Sequence, residues 1–206
     1  MINHQIDAIL RILKTTFPDV KTQLRHRNPF ELLIATILAA QCTDRQVNAV
    51  TGDLFAAYPT PEALAEAPLP SVEALIRSTG YYRNKARHIT SCARVLVADH
   101  GGVVPRTREA LVALPGVGRK TANVVLSVAF GVPAVVVDTH VARISRRLGL
   151  TAHKDPARIE ADLAARIPET AWNDFGLQLI YLGRSVCMAR RPRCPDCPLR
   201  DICPFP

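Results

Sequence analysis

Leu111-Val-Ala-Leu-Pro-Gly-Val-Gly-Arg-Lys-Thr-Ala-Asn-Val-Val-Leu126 is the stretch on which the fold turns. A helix can run into Leu114, Pro115-Gly116-Val117-Gly118 breaks it, and a second helix can begin near Arg119. Gly116 and Gly118 allow dihedrals and a close backbone approach that a Cβ would obstruct. The pattern therefore predicts two helices joined by a tight turn. The first N–H groups of the second helix are then presented at that turn, where they attract an anion such as a phosphate. A plain helical hairpin stopped by Pro and Gly has the same outline, but it does not call for Arg119 and Lys120 directly after the turn.

Outward from this hairpin, almost everything before residue 187 reads as helix. Apolar residues recur at three- and four-residue spacing in Ile6, Ile9, Leu10 and Leu13, and again in Leu33, Ile34, Ile37 and Leu38. Thr43 is placed to cap a helix through Phe55, and Thr60-Pro61 opens a short one with Pro at its first position. Further helices are predicted over residues 72–78, 84–97, 107–114, 119–130, 139–148, 156–166 and 171–187. Ala134 to Val137 is strand-like but too isolated to build a sheet. The expectation is an all-α protein with short connections and no low-complexity tract.

The chain has 206 residues and a mass of 22.6 kDa, enough for one ordinary domain or two small lobes. No apolar run approaches the roughly 20 residues of a membrane span. Met1-Ile-Asn-His-Gln-Ile-Asp7 lacks the basic start and apolar block of a secretory signal, so a soluble cytoplasmic protein without a membrane partner is expected. Charge narrows the partners. Lys and Arg number 26 against 18 Asp and Glu, a net charge of +8, which makes nucleic acid the first partner to test.

Six cysteines are unevenly distributed. Cys42 and Cys92 stand apart, whereas Cys187-x6-Cys194-x2-Cys197-x5-Cys203 gathers four thiols in seventeen residues. A local cluster of this kind points to a metal site, not a disulfide framework. Four thiolates suit tetrahedral zinc or a four-iron cluster, and the single Cys-x-x-Cys leans toward the cluster. Arg190, Arg191 and Arg193 lie inside the first interval. Arg143, Arg146 and Arg147 form a second basic stripe at helical spacing, able to bind phosphate or to face solvent.

Here the motifs combine into a resemblance. Leu114 to Ala122 resembles the helix-hairpin-helix of DNA-repair glycosylases, and Gly131, Pro133 and Asp138 resemble the Gly/Pro-rich loop and aspartate that complete it. With the four cysteines, the chain resembles the endonuclease III family from near Pro29 to Cys203. The resemblance implies a two-lobed helical glycosylase fold with the DNA between the lobes. Residues 22–132 would form a six-helix lobe, and residues 1–21 plus 133–206 a lobe carrying a [4Fe–4S] cluster on Cys187, Cys194, Cys197 and Cys203.

The same resemblance implies a monomeric, bifunctional DNA glycosylase with apurinic/apyrimidinic lyase activity. Its substrate would be double-stranded DNA containing oxidised pyrimidines or abasic sites. Lys120 would be the nucleophile. It lies in the first helical turn, where the macrodipole disfavours an ammonium, and burial against DNA would favour the free amine. Asp138 would assist deprotonation and stabilise positive charge on the sugar, while also capping the helix that follows. The chain permits their meeting: a helix over 119–130 is about 18 Å long, and the seven residues after it can span about 23 Å.

A glycosylase must also extrude its target base and fill the gap. Gln41 matches a glutamine that penetrates DNA in the family. Tyr81 stands at a wedge position where many relatives carry leucine, and a tyrosine there can stack as well as wedge. Further DNA contacts are expected at Gly116, Val117, Gly118, His140, Arg143, Arg191 and Arg193. Two alternatives share parts of this pattern. A monofunctional adenine-mismatch glycosylase lacks a lysine equivalent to Lys120, and in a non-enzymatic helix-hairpin-helix DNA-binding module Asp138 would only be a cap.

Overall fold

Residues 2–205 are described by the structure, a computed structural model, and they contain helices, turns and loops but no strand. The α-helices are α1 (Ile2–Thr16), α2 (Pro29–Leu38), α3 (Asp44–Ala57), α4 (Pro61–Ala65), α5 (Leu69–Ile76), α6 (Tyr82–His100), α7 (Arg108–Val112), α8 (Arg119–Phe130), α9 (Thr139–Arg147), α10 (Pro156–Arg166) and α11 (Trp172–Ser185). No described helix is long and apolar enough to cross a membrane. The chain divides into two compact units, one of residues Thr22–Val132 and the other of the segment up to Lys21 together with residues from Pro133 onward.

The first unit is built around α2. Every residue from Phe30 to Leu38 is buried, as expected of a helix that is apolar on all sides. Asn28 caps it by accepting the Glu31 N–H at 2.9 Å. Glu31 in turn accepts from the Arg27 backbone N–H at 2.7 Å and pairs with its guanidinium, so a buried carboxylate is fully partnered. Around α2 pack α3, α6 and α8, with α4 and α5 against α6 and α7 against α8. Seven α-helices fill this unit, of which α4 and α7 are only five residues long. Thr43, Thr60 and Thr107 cap α3, α4 and α7 through their hydroxyls.

The second unit joins the N-terminal helix to the C-terminal third. Ile6, Ile9 and Leu13 of α1 share a core with Val141 and Ile144 of α9, Ile159 and Leu163 of α10, and Phe175, Leu179 and Leu182 of α11. Polar ties reinforce this union: buried Gln178 donates to the Phe17 carbonyl, Tyr181 to that of Lys21, and Gln5 to that of Ile202. The strand-like residues 134–137 form an extended segment whose Ala134, Val135 and Val137 are buried, and this segment delivers Asp138 to the start of α9.

Candidate functional site

In the first unit the hairpin forms as the sequence indicated. Val117 donates to the Leu114 carbonyl at 3.1 Å across the turn, and α8 starts at Arg119 with no side chain capping it at Gly118. The two glycines serve different ends. Gly116 has φ +79°, and a Cβ there would stand 2.8 Å from Cβ of His88, so the fold itself requires a glycine. Gly118 has φ −92° and open space where its Cβ would be. Nothing inside the protein demands a glycine there. Val117 is buried, so only its main chain is available at the turn. Lys120 is exposed in the first turn of α8, beside this opening.

Gln41 and Tyr81 lie in the same unit, and both are conformationally unusual. Gln41 has φ +52° and Tyr81 φ +48°; Arg191, in the other unit, has φ +54°. No other described non-glycine residue has a positive φ. Each costs backbone energy of order 1–3 kcal/mol, and such strain persists only where the surroundings enforce it, most often at functional sites. All three are residues expected at DNA. Tyr81 is also 68% exposed, a large ring turned to solvent.

In the second unit Asp138 caps α9. Oδ1 alone accepts the N–H groups of His140 and Val141, both at 2.8 Å. Oδ2 accepts no hydrogen bond from the described residues. His140 is half-buried. Burial pushes its imidazole below the usual histidine range; Arg143 and Arg184 push the same way, against Asp138 and the Gly183 backbone.

The stripe of three arginines is divided by the structure. Arg146 is exposed, as a phosphate ligand would be. Arg143 is half-buried: its Nη2 lies 3.2 Å from His140 Nδ1, 3.3 Å from the Gly183 oxygen and 2.9 Å from the Cys187 oxygen, and its Nη1 donates to the Thr139 carbonyl at 3.4 Å on the exposed side. Arg147 donates to Cys187 Sγ at 3.2 Å and to the carbonyls of Met188 and Ala189, with its guanidinium over the Phe205 ring. The reason is the end of α11. Its last carbonyls and those of the following loop have no helical partners, and guanidinium forks supply the missing donors.

That loop carries the cysteines. Cys187, Cys194, Cys197 and Cys203 line one hollow, together with Val186, Pro192, Phe205, Arg147, Arg193 and Arg200. Four sulfurs around a largely apolar hollow suit a multi-iron cluster better than zinc. Burial raises the Cys197 thiol above its usual range, and the other three sulfurs add to the rise, so a cationic guest is what would keep four thiolates together. The Arg147 bond to Cys187 Sγ is an outer-shell contact that would steady such a guest.

Known proteins share this arrangement. The sequence profile for the HhH-GPD superfamily of base excision DNA repair proteins matches residues 34–169, and that for the iron-sulfur binding domain of endonuclease III matches residues 187–203. Endonuclease III of Synechocystis sp. is 52% identical over 95% of this chain and 90% of its own. The chain belongs to the endonuclease III family. A non-covalent endonuclease III–DNA complex superposes with a TM-score of 0.94 at 49% identity, over 99% of this chain and 96% of that one. A trapped endonuclease III–DNA covalent intermediate matches with the same TM-score, identity and coverage. Endonuclease III family members are DNA glycosylases with apurinic/apyrimidinic lyase activity acting in base excision repair, and the cysteine loop is their iron–sulfur site.

Sequence reasoning passed over three residues of the endonuclease III scaffold, His88, Lys85 and Gln46, and named Arg147 only as part of a basic stripe. His88 backs the hairpin turn, Arg147 clamps the cysteine loop, and Lys85 and Gln46 hold the segment leading to Tyr81. For Arg147 a signal existed, because it shares a helix face with Arg143. For the others the partner is set by tertiary packing and has no local mark.

Proposed function

We propose that this chain excises oxidised pyrimidines from duplex DNA and cleaves the strand at the resulting site, acting as a monomer on chromosomal DNA in the cytoplasm. The Lys120 amine attacks C1′ of the damaged nucleotide. A C1′–N bond to lysine forms as the glycosidic bond breaks, and the base departs with the electron pair. Asp138, through Oδ2, takes the proton released by the lysine nitrogen and stabilises positive charge on the sugar. The C1′–O4′ bond then breaks, the ring oxygen leaving with the electron pair and taking up a proton, so that the lysine adduct becomes an imine; loss of a C2′ proton and elimination of the 3′ phosphate follow, which cuts the strand 3′ to the lesion. The carrying observation is the exposed Lys120 in the first turn of an uncapped helix, next to a Gly118 that the fold does not require.

The phosphate backbone would be held by the main chain of Gly116, Val117 and Gly118 and by Arg191 and Arg193, with His140 beside Asp138. Gln41 and Tyr81 would enter the gap left by the extruded nucleotide. Cys187, Cys194, Cys197 and Cys203 would hold a [4Fe–4S] cluster, which supplies a rigid anchor for the arginine loop and no step of the reaction. Arg143 would join the contacts to the phosphate backbone, and it also ties α9 to that loop.

Product analysis on a duplex carrying one oxidised pyrimidine tests this reading. Base release together with a 3′ nick is expected. Base release without a nick would mark a monofunctional glycosylase, and binding without either product a non-enzymatic module; both outcomes overturn the proposal.

A further inference from the structure

A buried cation in the first unit has no part in the chemistry above. Lys85 is only 4% exposed, yet it sits one turn into α6, close to its solvent-exposed start. Its Nζ donates to the Thr79 carbonyl at 2.8 Å, and its backbone N–H donates to the Tyr81 carbonyl at 3.1 Å. Burial lowers its pKa from the ordinary lysine value and Cys42, next to Gln41, opposes the fall. An ammonium is a poor choice for packing alone, because its desolvation is costly and methionine fills a similar volume.

The segment it grips is the one that presents Tyr81. Arg77–Thr79 forms a single 3-10 turn, Gly80 has φ +69°, and Tyr81 follows in the left-handed region. Thr79 is buried and its hydroxyl donates back to Ile76. From α3, Gln46 donates to the Ser78 hydroxyl at 2.6 Å. The segment is therefore tied to α6 through Lys85 and to α3 through Gln46. Nothing comparable ties down the Tyr81 side chain itself, which stands out in solvent.

We propose that Lys85 is a positioning residue for base extrusion: it holds the 77–81 segment so that Tyr81 can press into the base stack without recoiling. Gln46 assists from the other helix. The inference rests on the reading of Tyr81 as a wedge, and the test separates the two.

Single-turnover rates are measured on a lesion in duplex DNA and on an abasic site in single-stranded DNA, where no base pair has to open. Lys85→Met is expected to slow duplex excision about tenfold, in line with the cost of a small misplacement, and to change single-strand cleavage by less than about twofold. In a Tyr81→Ala background the same substitution is expected to add no further loss, since it acts through the missing ring. Gln46→Ala, which alters only a bond near the surface, should show the same split with a smaller loss. Equal losses on both substrates, or losses that multiply in the double variant, would make Lys85 a packing residue and overturn the proposal. An unsplit loss in Gln46→Ala would do so even if Lys85→Met failed to fold. Full duplex activity in Tyr81→Ala would remove the wedge reading, and the role of Lys85 with it.

Discussion

Asp138 shows how much a single side chain carries here. One oxygen holds the start of α9 and the other accepts no hydrogen bond from the described residues, so substitutions can separate capping from the proposed catalysis. Asparagine caps as well as aspartate, so Asp138→Asn should unfold within a few tenths of a kcal/mol of wild type, whereas Asp138→Ala should lose about 1 kcal/mol. Both should slow base excision more than cleavage of a preformed abasic site, where no base has to leave; thermal unfolding and single-turnover kinetics would check the pair. His140 makes a prediction about pH. Its folded pKa lies below the unfolded value of about 6.5, chiefly through burial. As pH falls below the unfolded pKa, the unfolded chain takes up a proton that the native imidazole resists, so this residue makes stability fall as acid is added. Between pH 7.5 and 5.5 wild type should lose more stability than His140→Gln, as measured by denaturant unfolding at each pH. Of these residues Asp138 was legible from its place before Thr139-His140-Val141, but the division of labour between its oxygens was not, because that depends on the carboxylate's orientation.

At the scale of elements, the hairpin was the most legible part of the chain. Pro115, Gly116 and Gly118 punctuate it, and α8 spans Arg119–Phe130, the range its pattern indicated. The glycines give a paired prediction. Gly116→Ala should destabilise the protein by about 1–3 kcal/mol, through a positive φ and overpacking against His88. Gly118→Ala should leave stability unchanged or raise it by up to about 1 kcal/mol, since its φ suits alanine, and should still weaken DNA binding. Melting curves and binding titrations on the two variants would check this; weakened folding in Gly118→Ala would contradict it. Other boundaries were less legible for definite reasons. The α6 helix begins at Tyr82, two residues before its pattern suggested, because its N-cap is a left-handed tyrosine with no capping side chain to announce it. The α11 helix stops at Ser185, short of Cys187, whose N–H bonds back to the Leu182 carbonyl and turns the chain into the cysteine loop. The hold of Arg143 and Arg147 on the cysteine loop was hidden too. Helical spacing shows that they share a face, and only the loop packed on that face shows what the face is for.

For the whole molecule, charge and connectivity matter most. The net charge of +8 and the arginines of the cysteine loop imply that much of the affinity comes from phosphates. Replacing Arg191 and Arg193 together by alanine should weaken binding to lesion and lesion-free duplex alike, and flatten the salt dependence by about 1–2 in log–log slope. Loss confined to lesion DNA would reassign them. The sequence conveyed that the N-terminal helix and the C-terminal third belong to a common cluster-bearing part only through family resemblance; physically, their union depends on Ile6, Ile9 and Leu13 meeting α11 across more than 150 residues. Lys120 and Asp138 belong to different units of the chain, and the account requires both in one reaction. Borohydride reduction during turnover tests the part of Lys120 most directly, because it fixes an imine between enzyme and DNA. Wild type should become covalently linked to lesion DNA, and Lys120→Ala should still bind duplex through the hairpin turn and arginines while forming no adduct. An undiminished adduct from correctly folded Lys120→Ala would show that another amine is the nucleophile and contradict the account.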